Sequence, residues 1–399
     1  MTSPASTTPA SKSFFSGRLA PFLAFAGLAI AVFAGGFALQ YFVIADDEEE
    51  SGGAATTVPT EPGTYRLDTA AVLAHYVGEV TMLQPPNLKL PTALGQVAEE
   101  GTMVRVAPNA KATFLCDTGA IVMTASGAEA IEDPVATSPA LADVWKDIVP
   151  FHRTLPERFD RMLASGQLAK VPNGLEFDTP FGTVFDARPL FSWRDKDDAY
   201  PYQVAVRRPG GADVVWQRSL GAPSSGAMRL IYPEEEEPLP RGETLEVEVT
   251  SADGRTARGE FRLADEAETA SVRNAITATA NRLPEIAVAN FFQSHAYRMR
   301  GCPQAAGAQL LSLVRLFPTE RYPLEGQALI RFEAGHRIEA RSLVRKLESM
   351  PMPIPLAVTP QEPTKGAASP ASAAPGGSGN GGGAAGTPPG AAGSNAPSR

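Results

Sequence analysis

Between Leu19 and Ala45 the chain carries no charged side chain, and Gln40 is the only strongly polar one. That run of 27 residues exceeds the roughly 20 that a helix needs to cross the hydrocarbon core of a bilayer. Lys12 and Arg18 precede it, and Asp46, Asp47, Glu48, Glu49 and Glu50 come immediately after. Positive residues stay on the cytoplasmic side. The pattern therefore predicts a cytoplasmic stub at 1–18 and a single-pass transmembrane helix at 19–45. The chain would sit in the cell inner membrane, with its bulk periplasmic. A cleaved signal peptide would have a shorter apolar region, about 7–15 residues. Within the helix Gly27, Ala31 and Gly35 recur every four residues, a spacing that lets a second helix approach closely. The partner expected there is an integral membrane complex or a second copy of the chain. The plainer alternative is that Ala and Gly are simply abundant in this helix.

At 399 residues the chain is long enough for two or three domains beyond the anchor. Its net charge of −9, with no cluster of Lys and Arg, excludes a nucleic-acid partner, since phosphate binding needs such a cluster. Cys116 and Cys302 are far apart and no CxxC pair exists. Spacing alone leaves open whether they form a disulfide or remain two separate buried thiols.

Beyond the anchor, composition divides the chain into a linker (46–69), a β-rich region (70–135), a helical connector (136–173), a β-sandwich (174–264), a helical region (265–351) and a tail (352–399). In the first β region VGEVTML, QVAEEGTMVRVAP, AKATFLCDTG and AIVMTASGAEAI are short strand-like runs separated by turns. The connector reads as LADVWKDIV, then LPERFDRMLAS with a Pro near its first turn. The sandwich region carries six strand-like runs. Among them ETLEVEVTS alternates, with Leu245, Val247 and Val249 on one side and Glu246 and Glu248 on the other. Trp193 and Trp216 are expected in its core. After Ala357 the chain is mostly Pro, Gly, Ala and Ser, a composition that cannot bury enough surface to order, so a disordered tail is expected.

From Asp265 the period becomes helical and repeats. Tyr297, Gly301, Ala306, Leu310 and Leu313 open a pattern in which Gly301 recurs as Gly335, Ala306 as Ala340, Leu310 as Val344 and Leu313 as Leu347, 34 residues on. That period belongs to stacked helical hairpins of the tetratricopeptide (TPR) kind. The glycines would make the tight turn within each hairpin and the alanines would let its helices approach. A helix at 266–283 would pack alongside.

His75, His152, His295 and His336 are scattered without metal-ligand spacing, and none of the nucleophile-elbow, P-loop or dinucleotide fingerprints occurs. The acidic run Glu234–Glu237 lacks the alternation of a calcium loop. The residues thus point to no catalytic group, no cofactor and no metal, and to a protein that is not an enzyme.

The stretch VGEV…ALGQVAEEGTMVRVAPNAKATFLCDTGAIVMTASG resembles the FecR-like extracytoplasmic domain. RPLFSWRDKDDAYPYQVAVRRPGGADVVWQRS, followed by PLPRGETLEVEVTSADG, is similar to bacterial fibronectin type III or immunoglobulin-like modules. The 34-residue pattern looks like a short TPR unit. The resemblance implies a multidomain α+β chain of three modules behind an anchor, built for protein–protein contacts. FecR regulators that transmit iron signals place an anti-sigma segment before their membrane helix, and here only about eighteen small polar residues stand there. The reading is therefore a non-enzymatic extracytoplasmic scaffold, an accessory subunit of a membrane complex. The alternatives are a FecR-like envelope signal transducer and a cell-envelope enzyme with an unrecognised site.

Overall fold

In the computed structural model residues 61–351 are described, apart from 87, 132–138, 170–173, 212 and 222–227. Mixed α and β structure fills this span, with several antiparallel sheets and six helices. The predicted anchor, with Gly27, Ala31 and Gly35, lies outside the described residues, as does the tail from 352. Among the described residues no helix is long and apolar enough to cross a membrane.

The first module is a pair of sheets. One has the order β1-β6-β3-β4, from β1 (Gly63–Arg66), β3 (Val80–Gln84), β4 (Leu88–Leu90) and β6 (Met103–Val106). The other has the order β5-β2-β7-β8-β9, from β2 (Ala71–Val77), β5 (Val97–Ala98), β7 (Lys111–Cys116), β8 (Gly119–Thr124) and β9 (Gly127–Ile131). Gly63–Arg66, which the sequence places in the linker, is an edge strand paired with Met103–Val106. Between the sheets Leu73, Met82, Val104 and Phe114 are sealed from solvent. The second sheet is covered on its other face too. Val72, Ala74 and Leu115 point away from that core into a separate cluster of helices. This explains why AVLA at 71–74 is buried at every position rather than at alternate ones.

The second module is also two sheets. β10 (Leu175–Thr179), β12 (Leu190–Asp195) and β15 (Arg229–Ile231) form one, in the order β10-β12-β15. The other runs β11-β17-β16-β13-β14, from β11 (Gly182–Val184), β13 (Tyr202–Arg207), β14 (Val214–Leu220), β16 (Thr244–Ser251) and β17 (Thr256–Leu263). Along β16 Leu245, Val247 and Val249 are fully buried and the intervening glutamates are partly exposed, as the alternation requires. Trp216 stacks on Phe191 with ring centres 5.6 Å apart, and Trp193 meets Tyr202 edge to face at 5.4 Å. Both tryptophans are core residues.

The helices are α1 (Ala142–Ala164), α2 (Asn274–Ala280), α3 (Ile286–Met299), α4 (Pro303–Leu316), α5 (Tyr322–Glu333) and α6 (Arg337–Glu348). The segment expected as one helix at 266–283 begins with a short turn at Glu266–Glu268 and a π-helical stretch at Thr269–Arg273. α1 differs from its sequence reading. The two expected pieces are one continuous 23-residue helix with Pro150 and Pro156 inside it. Each proline removes a backbone donor. The helix keeps its course because one side buries Val144, Trp145, Ile148, Val149, His152, Leu155, Phe159 and Met162, and apolar burial on this scale outweighs two lost hydrogen bonds.

α1 packs on β2, β5 and β7 and, across its width, on α3 and α5. One apolar cluster therefore runs from the outer face of the first module through α1 into the helical hairpins. The connector is the centre of the largest core in the described residues.

Candidate functional site

The repeat positions occupy equivalent places. Gly301 and Gly335 have φ of 68° and 88°, a left-handed conformation that glycine adopts without the penalty of a Cβ. Around Gly301, Cys302 N–H donates to Tyr297 O at 2.8 Å and Gly301 N–H to Arg298 O at 3.0 Å. Around Gly335, His336 N–H donates to Arg331 O at 2.8 Å and Gly335 N–H to Phe332 O at 3.0 Å. These are two copies of one helix-ending motif. Ala306 and Ala340 are fully buried, with Leu310, Val344 and Tyr297 nearly so. Between the hairpins α4 and α5 touch where Gly326 faces Leu310, leaving 2.9 Å for an added Cβ. Gly307 and Gly326 are thus contact residues that the sequence pattern did not single out.

The face that α3 and α5 share is not an open groove. α1 fills it: Trp145 stacks on Phe292 with centres 4.6 Å apart, and His152 stacks on Phe291 at 5.0 Å. The chain's own connector thus supplies the apolar surface that this face of the hairpins buries.

Three of the four histidines, His152, His295 and His336, are sealed in seams. His152 and His295 lie in the α1 seam with 3% and 2% exposure and ring centres 5.9 Å apart. His152 Nδ1 lies 2.7 Å from Ile148 O, so that nitrogen carries the proton and Nε2 is left bare, without a partner. Neither nitrogen of His295 makes a hydrogen bond of normal geometry, and Nε2 lies 3.7 Å from Asp147 Oδ2. Burial pushes His152 down to about 4 and His295 to about 3. Arg298 beside them sits over the Phe151 ring at 4.8 Å and donates to Glu333 at 2.7 Å, and Arg158 of α1 donates to the other oxygen of Glu333, also at 2.7 Å. Tyr322, buried against His152 and Phe291, has its hydroxyl pushed up to about 12 by burial.

A second charged seam joins the sandwich to the hairpins. Arg331 of α5 donates from Nη1 to Asp178 Oδ1 of β10 at 3.0 Å, and its Nε lies 3.1 Å from Glu339 Oε2 of α6. His336 Nδ1 is 3.7 Å from the same Asp178 oxygen. Arg194 of β12 reaches Glu339 at 3.6 Å. Glu176 accepts from the backbone N–H groups of Arg337 and Ile338, so a carboxylate sits at the N-terminus of α6, where the helix dipole favours it. Asp178, His336 and Glu339 could together offer three metal-ligating atoms within 4.8 Å of one another. The donor set does not fit a metal, because the Arg331 guanidinium already stands among these groups as their cation.

The third joint ties the first module to the hairpins. Glu320 accepts from Tyr76 Oη at 2.7 Å and from Leu94 N–H at 3.0 Å. Gly95, at φ 78°, lies so close to the Tyr322 ring that an added Cβ would meet it at 2.5 Å. Beside this joint a cleft of about 560 Å³ opens between the 92–96 loop, α1 and the start of α5.

Cys116 and Cys302 are both free and buried, in different clusters. Burial pushes the Cys302 thiol up to about 12, which keeps it protonated and unreactive.

No protein-family model matches the chain, and no curated protein does. Among solved structures the chain is similar to one described as a biofilm associated protein, BSP domain. Identity is 12% and the TM-score is 0.17 over 53% of this chain. The chain spans 28% of that protein's length. A likeness so slight assigns neither fold nor function.

Proposed function

We propose that this chain is a non-enzymatic scaffold, held in the inner membrane by the helix at 19–45, whose periplasmic bulk makes protein–protein contacts as an accessory subunit of a membrane complex. In this reading the first module is FecR-like, the second is of the fibronectin type III or immunoglobulin kind, and the hairpins are TPR-like. The strand orders β10-β12-β15 and β17-β16-β13-β14 support the second assignment, since they match strands A, B, E and G, F, C, C′ of such sandwiches. The doubled helix-ending motif 34 residues apart supports the third.

The observation that carries the reading is where the buried polar groups are spent. His152 and His295 fill the seam between α1 and α3 by ring packing, while the half-buried Asp178–Arg331–Glu339 set and Glu320 bond across the seams between sheets and helices. There they tie sheets and helices into one body, which is what a scaffold requires of its interior. With α1 on the shared face of the hairpins, contacts to other proteins fall to the outer surfaces and to the anchor.

Protease treatment of spheroplasts tests the topology. The reading expects digestion of residues beyond Ala45, an intact anchored stub, and retention in membranes after an alkaline carbonate wash. Release by the wash, or full protection from protease in intact spheroplasts, would defeat it.

A further inference from the structure

We propose that the cleft beside α1 is a docking site for the chain's own segment Met352–Val358. The structure delivers the chain there. Pro351, the last described residue, already lines the cleft. Arg321, another lining residue, donates from Nη1 to Leu347 O at 2.9 Å and lies 3.5 Å from Met350 O, which fixes the end of α6 at the cleft mouth.

The wall suits an apolar occupant. Leu94, Leu155, Phe159, Tyr322 and the rim residue Leu163, itself 42% exposed, supply its apolar surface. Glu320, Arg321 and Glu325 are already engaged, and Asp160 stands exposed at the rim. Glu320 accepts from Tyr76 and Leu94, and Arg321 Nε donates to Glu325 at 3.1 Å. Asp160 alone is left to meet a charged ligand, whereas the apolar wall remains to be covered.

The sequence after Pro351 has the matching character. It reads MPIPLAV, without a charge, and no Leu, Ile, Val, Met or aromatic residue occurs after Val358. Met352, Ile354, Leu356 and Val358 fall at every second position, with Pro, Pro and Ala between. An extended chain places every second side chain on one face, so all four large side chains can meet the wall together. Pro353 and Pro355 have no backbone N–H to strand in an apolar site, and their fixed φ lowers the entropy lost on docking. Seven extended residues reach roughly 22 Å, enough to cross a cleft of this size.

The full chain with Leu163→Cys and Ile354→Cys tests this, with Leu163→Cys and Ser378→Cys as the control for a tail that merely drifts past. Cys116 and Cys302 are buried and stay silent. The expected result is an internal disulfide in the Ile354→Cys pair, formed about tenfold faster than in the control because docking raises the local concentration. In a parallel measurement Leu163→Cys alone should react with maleimide several-fold faster once Ile354→Asp and Leu356→Asp are added. Equal crosslinking in both pairs, with unchanged maleimide rates, would overturn the proposal and leave the cleft open to another protein. Crosslinking between chains would overturn it in favour of a second copy's segment. Thermal melts of Leu163→Cys should match the parent, since that side chain lies at the rim.

Discussion

Lowering the pH from 7.5 to 5.0 should weaken the fold sharply through His152 and His295. Both are sealed between α1, α3 and α5, and burial holds His152 at about 4 and His295 at about 3, against the ordinary histidine value of 6.5. The unfolded chain therefore binds protons below pH 6.5 that the folded chain does not yet accept. Stability is complete above 6.5 and falls as the pH drops towards the folded values. At pH 5 each histidine lies 1.5 pH units below its ordinary value and is still neutral in the fold. At 1.36 kcal/mol per unit this costs about 2 kcal/mol each, or about 4 kcal/mol for the pair. The groups that face them do little to compensate: Arg298 opposes a positive charge, and Asp147 approaches only at 3.7 Å. His336, lowered to about 4 by burial and by the neighbouring Arg331, and His75, also lowered by burial, add to the slope. The carboxyls of Glu176, Glu325 and Glu339, raised by burial, act against it. A difference measurement isolates the pair. Urea unfolding of the parent and of His152→Leu/His295→Phe at pH 7.5, 6.0 and 5.0 should show the parent losing more stability on acidification, by about 4 kcal/mol at pH 5. Parallel pH profiles for the two proteins would rule out the histidine pair as the source of the acid sensitivity.

Asp178→Ala should cost about 1–3 kcal/mol in chemical denaturation, because the half-buried Arg331 loses one of its two carboxylate partners and keeps only Glu339; a loss under about 0.5 kcal/mol would show that the seam is held by packing alone. Trp145→Ala removes a fully buried ring stacked on Phe292 and should cost about 3–5 kcal/mol, with proteolysis then spreading into both the first module and the hairpins. Gly95→Ala meets both a φ of 78° and the Tyr322 ring, so a loss of about 2 kcal/mol or more is expected in the same assay. Thiol titration of the native chain should find no rapidly reacting group, and two groups after denaturation without reductant, since Cys116 and Cys302 are free and buried apart.

How much of the fold was legible depended on whether the cause was local. Gly301 and Gly335 could be found because a left-handed turn needs glycine, and Ala306 and Ala340 because close helices need small side chains. The alternation of β16 could be read because one of its faces remains partly wet. AVLA at 71–74 showed no alternation because both faces of that sheet are covered. α1 read as two pieces because Pro150 and Pro156 usually interrupt helices, and nothing local announces the tertiary burial that overrides them. The histidine pair and the Asp178–Arg331 bond were out of reach for the same reason. Residues 143 positions apart in one case and 153 in the other meet only through the fold.

If this body serves as a scaffold within a membrane assembly, the full chain purified in mild detergent should come with its partners. Its mass and subunit stoichiometry are the quantities to measure. Recovery at a fixed ratio with an integral membrane complex is the expected result. Substituting Gly27→Leu and Gly35→Leu should weaken that association by about 1–2 kcal/mol while leaving insertion intact. A monodisperse, lone monomer retaining the native fold of residues 61–351 would contradict the scaffold reading.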